Sequence, residues 1–153
     1  MRTTLLRHLM AAALALASSA PLLAQTTQTS THGPFVNNTT QGTSNSRDQL
    51  TVSIKDIDGT SHPGHPFVSG VVVKDPQGNL RNPQPTEGAG ADGKPGPNQY
   101  KLIVDGDQVT IWFGTAIEKG AKVEVKITRD SGTNTPDVKP VGGQNSNGYT
   151  NHP

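Results

Sequence analysis

Residues 122–128 read Lys-Val-Glu-Val-Lys-Ile-Thr, and this run decides the fold class. Val123, Val125 and Ile127 alternate with Lys122, Glu124, Lys126 and Thr128. That is the period of a strand with one face in a core and the other in water. The same period recurs upstream. Leu50, Val52 and Ile54 alternate with Thr51, Ser53 and Lys55. Residues 67–73 are denser, and the run Val71-Val72-Val73 predicts a central strand covered on both faces. Residues 100–104 and 109–113 flank Asp105-Gly106-Asp107-Gln108, whose turn chemistry predicts a hairpin. No window shows a helical period, and residues 115–120 have room for at most one short helical turn before Gly120. The expected fold is all-β, a small immunoglobulin-like sandwich or partly open barrel of about five strands.

The flanks of this core differ in composition. Residues 1–24 carry Arg2 and Arg7, then the apolar run Leu-Met-Ala-Ala-Ala-Leu-Ala-Leu-Ala over 9–17, then small residues up to Ala24. This is the layout of a signal peptide, too short to span a bilayer, with cleavage expected between Ala24 and Gln25. Residues 25–46 are rich in Thr, Gln, Asn and Ser, with Phe35 and Val36 as the apolar exceptions, and read as a flexible polar leader. Residues 130–153 contain Gly142-Gly143, Asn147-Gly148 and three prolines, and read as a disordered tail. One β-sandwich domain is expected over 47–129. Within it, residues 75–98 hold five prolines and five glycines with Leu80 as the one large aliphatic, which predicts a disordered loop.

Two segments resemble parts of known β-sandwich families. Val68-Ser-Gly-Val-Val-Val-Lys-Asp-Pro-Gln-Gly-Asn79 resembles the first strand and turn of carboxypeptidase regulatory-like domains, although here a strand precedes it where that family usually begins. Ile117-Glu-Lys-Gly-Ala-Lys-Val-Glu-Val-Lys-Ile127 looks like the corner before a late strand in many immunoglobulin-like domains. Both patterns are generic to sandwiches and imply the fold class alone.

Charge and cysteine content narrow the chemistry. The chain has 13 Lys+Arg and 12 Asp+Glu; without Arg2 and Arg7, 11 bases face 12 acids, a net charge of −1. The charges are interspersed, so no field steers the chain onto nucleic acid or an anionic membrane. There is no cysteine, which excludes thiol catalysis, cysteine-based zinc or iron–sulfur sites, disulfides and a lipoprotein anchor. No apolar stretch after residue 24 approaches spanning length, so no membrane span is expected.

The most site-like cluster is Asp56, Asp58, His62 and His65, in the segment Asp-Ile-Asp-Gly-Thr-Ser-His-Pro-Gly-His-Pro between the first two strands of the core. Imidazoles and carboxylates at this spacing suit zinc or copper(II). The same residues also suit an exposed turn, since Asp, Gly and Pro are turn formers. Asp56-Ile-Asp-Gly and Asp105-Gly-Asp107 each resemble a fragment of a calcium loop, but neither has the third ligand or the downstream Glu. Asp105 and Asp107 as a catalytic carboxylate pair compete with the simpler reading of a turn about Gly106. Ser53, Ser61 and Ser69 stand in no nucleophile motif. Trp112 and Phe113, adjacent on one strand, must face opposite sides of the sheet. One ring is expected in the core. The other is either buried too or exposed for stacking on a sugar or docking a protein.

The expectation is a non-catalytic binding or structural module, exported to the periplasm or beyond the cell, with no cofactor and a protein or carbohydrate partner. The alternative is a periplasmic metal-binding protein using the Asp56–His65 loop.

Overall fold

A computed structural model of the chain describes residues 25–36, 46–57, 64–88, 90, 92–129, 137–141 and 148–150. The signal-peptide reading of residues 1–24 lies outside them. Among the described residues there is no helix, and residues 115–118, read as a possible helical turn, extend a strand instead. The elements in chain order are β1 (Thr26–His32), β2 (Ser46–Ile54), β3 (Pro66–Lys74), β4 (Leu80–Arg81), β5 (Gln84–Pro85), β6 (Gln99–Asp105), β7 (Gln108–Glu118), β8 (Lys122–Arg129), β9 (Val138–Pro140) and β10 (Tyr149–Thr150).

They form a β-sandwich. One sheet has the order β1-β8-β3-β4; the other has the order β10-β2-β7-β6-β5, with β9 also pairing with β2. All pairs are antiparallel except β5 with β6. The alternating residues meet between the sheets as the period demands. Val123, Val125 and Ile127 of β8 are fully buried, as are Leu50, Val52 and Ile54 of β2 and Val109, Ile111 and Phe113 of β7. Val71 and Val73 of β3 join this core through the registers Val71↔Val125 and Val73↔Val123. Val72 points the other way and is buried as well, but Ser69 and Lys74 are exposed, so the outer face of β3 is covered only around Val72.

Three segments read as flexible or disordered carry strand pairing where they are described, two in the flanks and one within the domain. Residues 26–32 are not a flexible leader: β1 pairs with β8 along its whole length, from Thr26↔Arg129 to His32↔Val123. Three residues on, Phe35 is fully buried. Hydrogen bonds supply what apolar residues do not, since β8 already offers a rigid ladder for a polar strand to complete. In the C-terminal tail, Val138–Pro140 and Tyr149–Thr150 both pair with β2, and Tyr149 is buried. Residues 75–98 are structured where described, because turns and packing fix a segment that composition alone leaves open. Asp75 and Asn79 close the β3–β4 turn, and β5 pairs with β6.

The strand β7 binds the two halves of its sheet through an irregularity. Arg47 pairs with Ile117, but Gln49 pairs with Trp112, so β7 carries extra residues between these pairs. At that point a Cβ on Gly114 would collide with the backbone carbonyls of Gly96 and Pro95. Only glycine lets the segment before β6 lie so close to β7.

Candidate functional site

The loop after β2 is braced by the β6–β7 hairpin. Asp105 pairs with Gln108, leaving Gly106, at φ 57°, and Asp107 as the turn. The Asp107 carbonyl accepts the Ile54 N–H at 2.8 Å, and its Oδ1 accepts the Asp56 N–H at 3.3 Å. Asp107 is therefore used as a turn and bracing residue. Asp56 adopts φ 60°, a left-handed conformation that Asp tolerates through local hydrogen bonding. Its carbonyl accepts the His65 Nδ1–H at 3.1 Å. The two described members of the proposed metal cluster thus meet through the Asp56 backbone and not through its carboxylate. Asp58 and His62 lie outside the described residues. Among the described residues, no three His, Cys, Asp or Glu side chains converge on a common point.

The adjacent aromatics face opposite ways, as the strand period requires. Phe113 is in the core between the sheets, fully buried. Trp112 lies on the outer face of its sheet, yet is only 5 % exposed. The segment at Gly93 covers the ring: a Cβ there would lie 3.8 Å from Trp112 Cη2. Neither ring is presented to solvent. Of the two alternatives for the second ring, the structure has the buried one, because the segment between β5 and β6 folds over the indole.

The most site-like feature lies at the β4 end of the sandwich. The β3–β4 turn is fixed by Asp75. Its Oδ1 accepts the Asn79 N–H at 2.7 Å and its Oδ2 accepts the Asn79 side-chain amide at 2.8 Å. These bonds, the side-chain one foremost, hold the Asp75 carboxyl below the usual range. Gly78, at φ 94°, completes the turn. The turn projects Leu80, 64 % exposed, and sets Arg81 against the end of β7. Between them opens a cleft of about 270 Å³ with an apolar floor of Val73, Ala116 and Ala121 and a polar rim that includes Arg81 and Glu118.

Arg81 is the notable group in this cleft. Burial lowers its pKa, and the negative charge of Glu118 acts in the opposite direction. A guanidinium stays protonated under any condition that keeps the fold. Its Nη1 is buried and has no hydrogen-bond partner among the described residues. The arrangement offers a fixed cationic donor beside an apolar floor, suited to a carboxylate, carbonyl or hydroxyl on a partner.

Sequence reasoning missed Leu80 and Arg81 because both lie in the segment read as disordered. The turn signal Asp75-Pro-Gln-Gly-Asn79 was nevertheless present, directly after a strand, and it is what positions them. Comparisons of the chain with protein-family models, with curated proteins and with solved structures gave no match.

Proposed function

We propose that the chain is an exported, non-catalytic binding module that presents the Leu80–Arg81 cleft to a protein or carbohydrate partner. The carrying observation is the buried, unpartnered Nη1 of Arg81 beside the exposed Leu80. A buried donor without an acceptor costs about 1–3 kcal/mol or more when charged, so a partner that supplies the acceptor recovers a desolvation cost the free protein already carries. Arginine is enriched at the energetic centres of interfaces, and exposed Leu80 adds apolar contact beside its donor. Export fits the signal-like residues 1–24, with the exported chain expected to begin at Gln25.

A photo-crosslinking residue at position 80, expressed in the native host, tests the reading. A discrete adduct is expected from position 80 and not from position 126, an exposed site on the outer face of β8, two strands away from β4 in the same sheet. Arg81→Gln should weaken the adduct sharply while leaving the melting temperature close to that of the wild type. No adduct, or the same adducts from both positions, would remove the cleft as the contact surface. Intact mass of the exported material reports the start at Gln25.

A further inference from the structure

The other end of the first sheet carries a different feature. β1 is its edge strand, and among the described residues no strand pairs with its far side. The remaining edges are short or guarded. β4, β5 and β10 have two residues each, and β9 has three, ending in Pro140. Natural edges are also protected by charge, proline or bulges. β1 has none of these. It is Thr-Thr-Gln-Thr-Ser-Thr-His over seven residues, and its register with β8 runs without a shift.

The inward row of β1 is unfinished. His32 is only 5 % exposed, and its Nε2 has no partner among the described residues. It lines a cleft of about 210 Å³ between β1 and β9, together with Ser30, Gly33, Val138 and Pro140. Four residues earlier on the same face, Gln28 Oε1 is also buried and unpartnered. Buried polar atoms in native structures are ordinarily satisfied, so two on one edge strand point to a missing neighbour.

On the outward face of β1 a row of hydroxyls stops at the edge. Thr128 Oγ1 donates to Ser69 Oγ at 2.8 Å, and Thr27 and Thr128 share a hydrogen bond of 2.9 Å.

We propose that β1 pairs antiparallel with the β1 of a second copy of this chain, about a two-fold axis at Thr29, so that the two four-stranded sheets become one. The sequence of the strand is self-complementary in this register. Thr29 meets Thr29, Thr27 meets Thr31, Gln28 meets Ser30 and Thr26 meets His32. Each copy's Ser30 hydroxyl then lies beside the other's Gln28 Oε1 and can donate to it. Each copy's Thr26 in turn lies beside the other's His32. On the outer face, Thr31 of one copy extends the Thr27–Thr128–Ser69 hydroxyl row of the other. An edge with no charged side chain gives no advantage to an acidic or basic peptide, and it opposes its own copy with no like-charge repulsion. Isologous two-fold pairing is also the commonest form of self-association.

Sedimentation equilibrium of the purified protein tests this, with Thr29 as the lever because it is exposed and lies on the axis. The wild type should form a dimer that dissociates on dilution. Thr29→Lys and Thr29→Glu each set two like charges face to face, and each should weaken association by more than about tenfold. Mixing the two variants in equal amounts should restore a dimer of one copy of each, which also shows that both are folded. A wild type that stays monomeric at its highest soluble concentration overturns the proposal. So does a dimer that neither variant weakens. The Leu80–Arg81 cleft is at another edge, so neither result bears on that reading.

Discussion

Val125 occupies the middle of β8 with Ser30 of β1 on one side and Val71 of β3 on the other, and no solvent reaches it. Val125→Asp would bury a carboxylate with no partner, a change expected to cost several kcal/mol in a domain whose whole stability is about 5–15 kcal/mol. Loss of the cooperative urea transition would show it; a midpoint near the wild type's would mean that the face is not closed. His32 gives a subtler effect. Burial holds its imidazole below the ordinary pKa of 6.5, so the unfolded chain takes up the proton first. Stability contributed by neutral His32 is therefore complete above that unfolded value and is lost as pH falls below it. Urea midpoints compared between about pH 7.5 and pH 5 should fall further for the wild type than for His32→Gln. Equal slopes would assign the pH dependence to other groups.

At the scale of elements, legibility followed the source of each strand's stability. β2, β3, β7 and β8 bury alternating or continuous aliphatic residues, β6 packs the partly buried Leu102 and Val104 against them, and that pattern is written in the chain. β1 has no aliphatic residue at all. It exists because β8 offers a complete ladder and because Thr27 bonds Thr128, neither of which a local window contains. The segment over residues 75–98 was misread for a related reason: its order comes from turns and from close packing of backbone on β7. Gly114→Ala tests that packing. The added methyl would collide with Gly96 and Pro95, so the segment must move, at an expected cost of about 1–3 kcal/mol. Because Trp112 is the only tryptophan, its fluorescence should shift to the red as its cover at Gly93 lifts. An unshifted spectrum would mean that the segment gives way without uncovering the ring. The loop after β2 was legible as polar and turn-forming, and its metal reading leads to a clear measurement. Replacing His62 and His65 by Ala should change stability by less than about 0.5 kcal/mol. Neither wild type nor variant should gain melting temperature with zinc or copper(II). A metal-dependent rise that the two substitutions abolish would favour the metal-binding alternative.

Seen as a whole molecule, the sandwich is closed by its two ends, a property no single strand shows. Phe35, from the N-terminal segment, and Tyr149, from the C-terminal one, are both fully buried. Their rings meet edge to face with centroids 5.1 Å apart. The Tyr149 hydroxyl donates to the His32 carbonyl at 3.0 Å. Backbone bonds fasten each end in place. Phe35 N–H reaches the Ala121 carbonyl at 2.7 Å, and the Phe35 carbonyl accepts from Gly120 at 2.8 Å. Gly148 accepts the Thr51 N–H at 3.1 Å, and Val141 donates to the Thr51 carbonyl at 3.1 Å. With no cysteine in the chain, these contacts tie the two flanking segments where small secreted domains often use disulfides. The sequence hides this because each end offers a single large aromatic in a polar setting, and pairing them requires knowing the fold. A double-mutant cycle measures the tie. Phe35→Leu and Tyr149→Leu should each cost about 1–3 kcal/mol, mild enough to leave a folded state to measure. Each substitution alone already removes the ring–ring contact, so the sum of the two counts it twice. The double variant should therefore lose less than that sum, by about 0.5–1.5 kcal/mol. Strict additivity in urea unfolding would show that the ends are held independently, each by its own pairing with β2 or with the turn before β8.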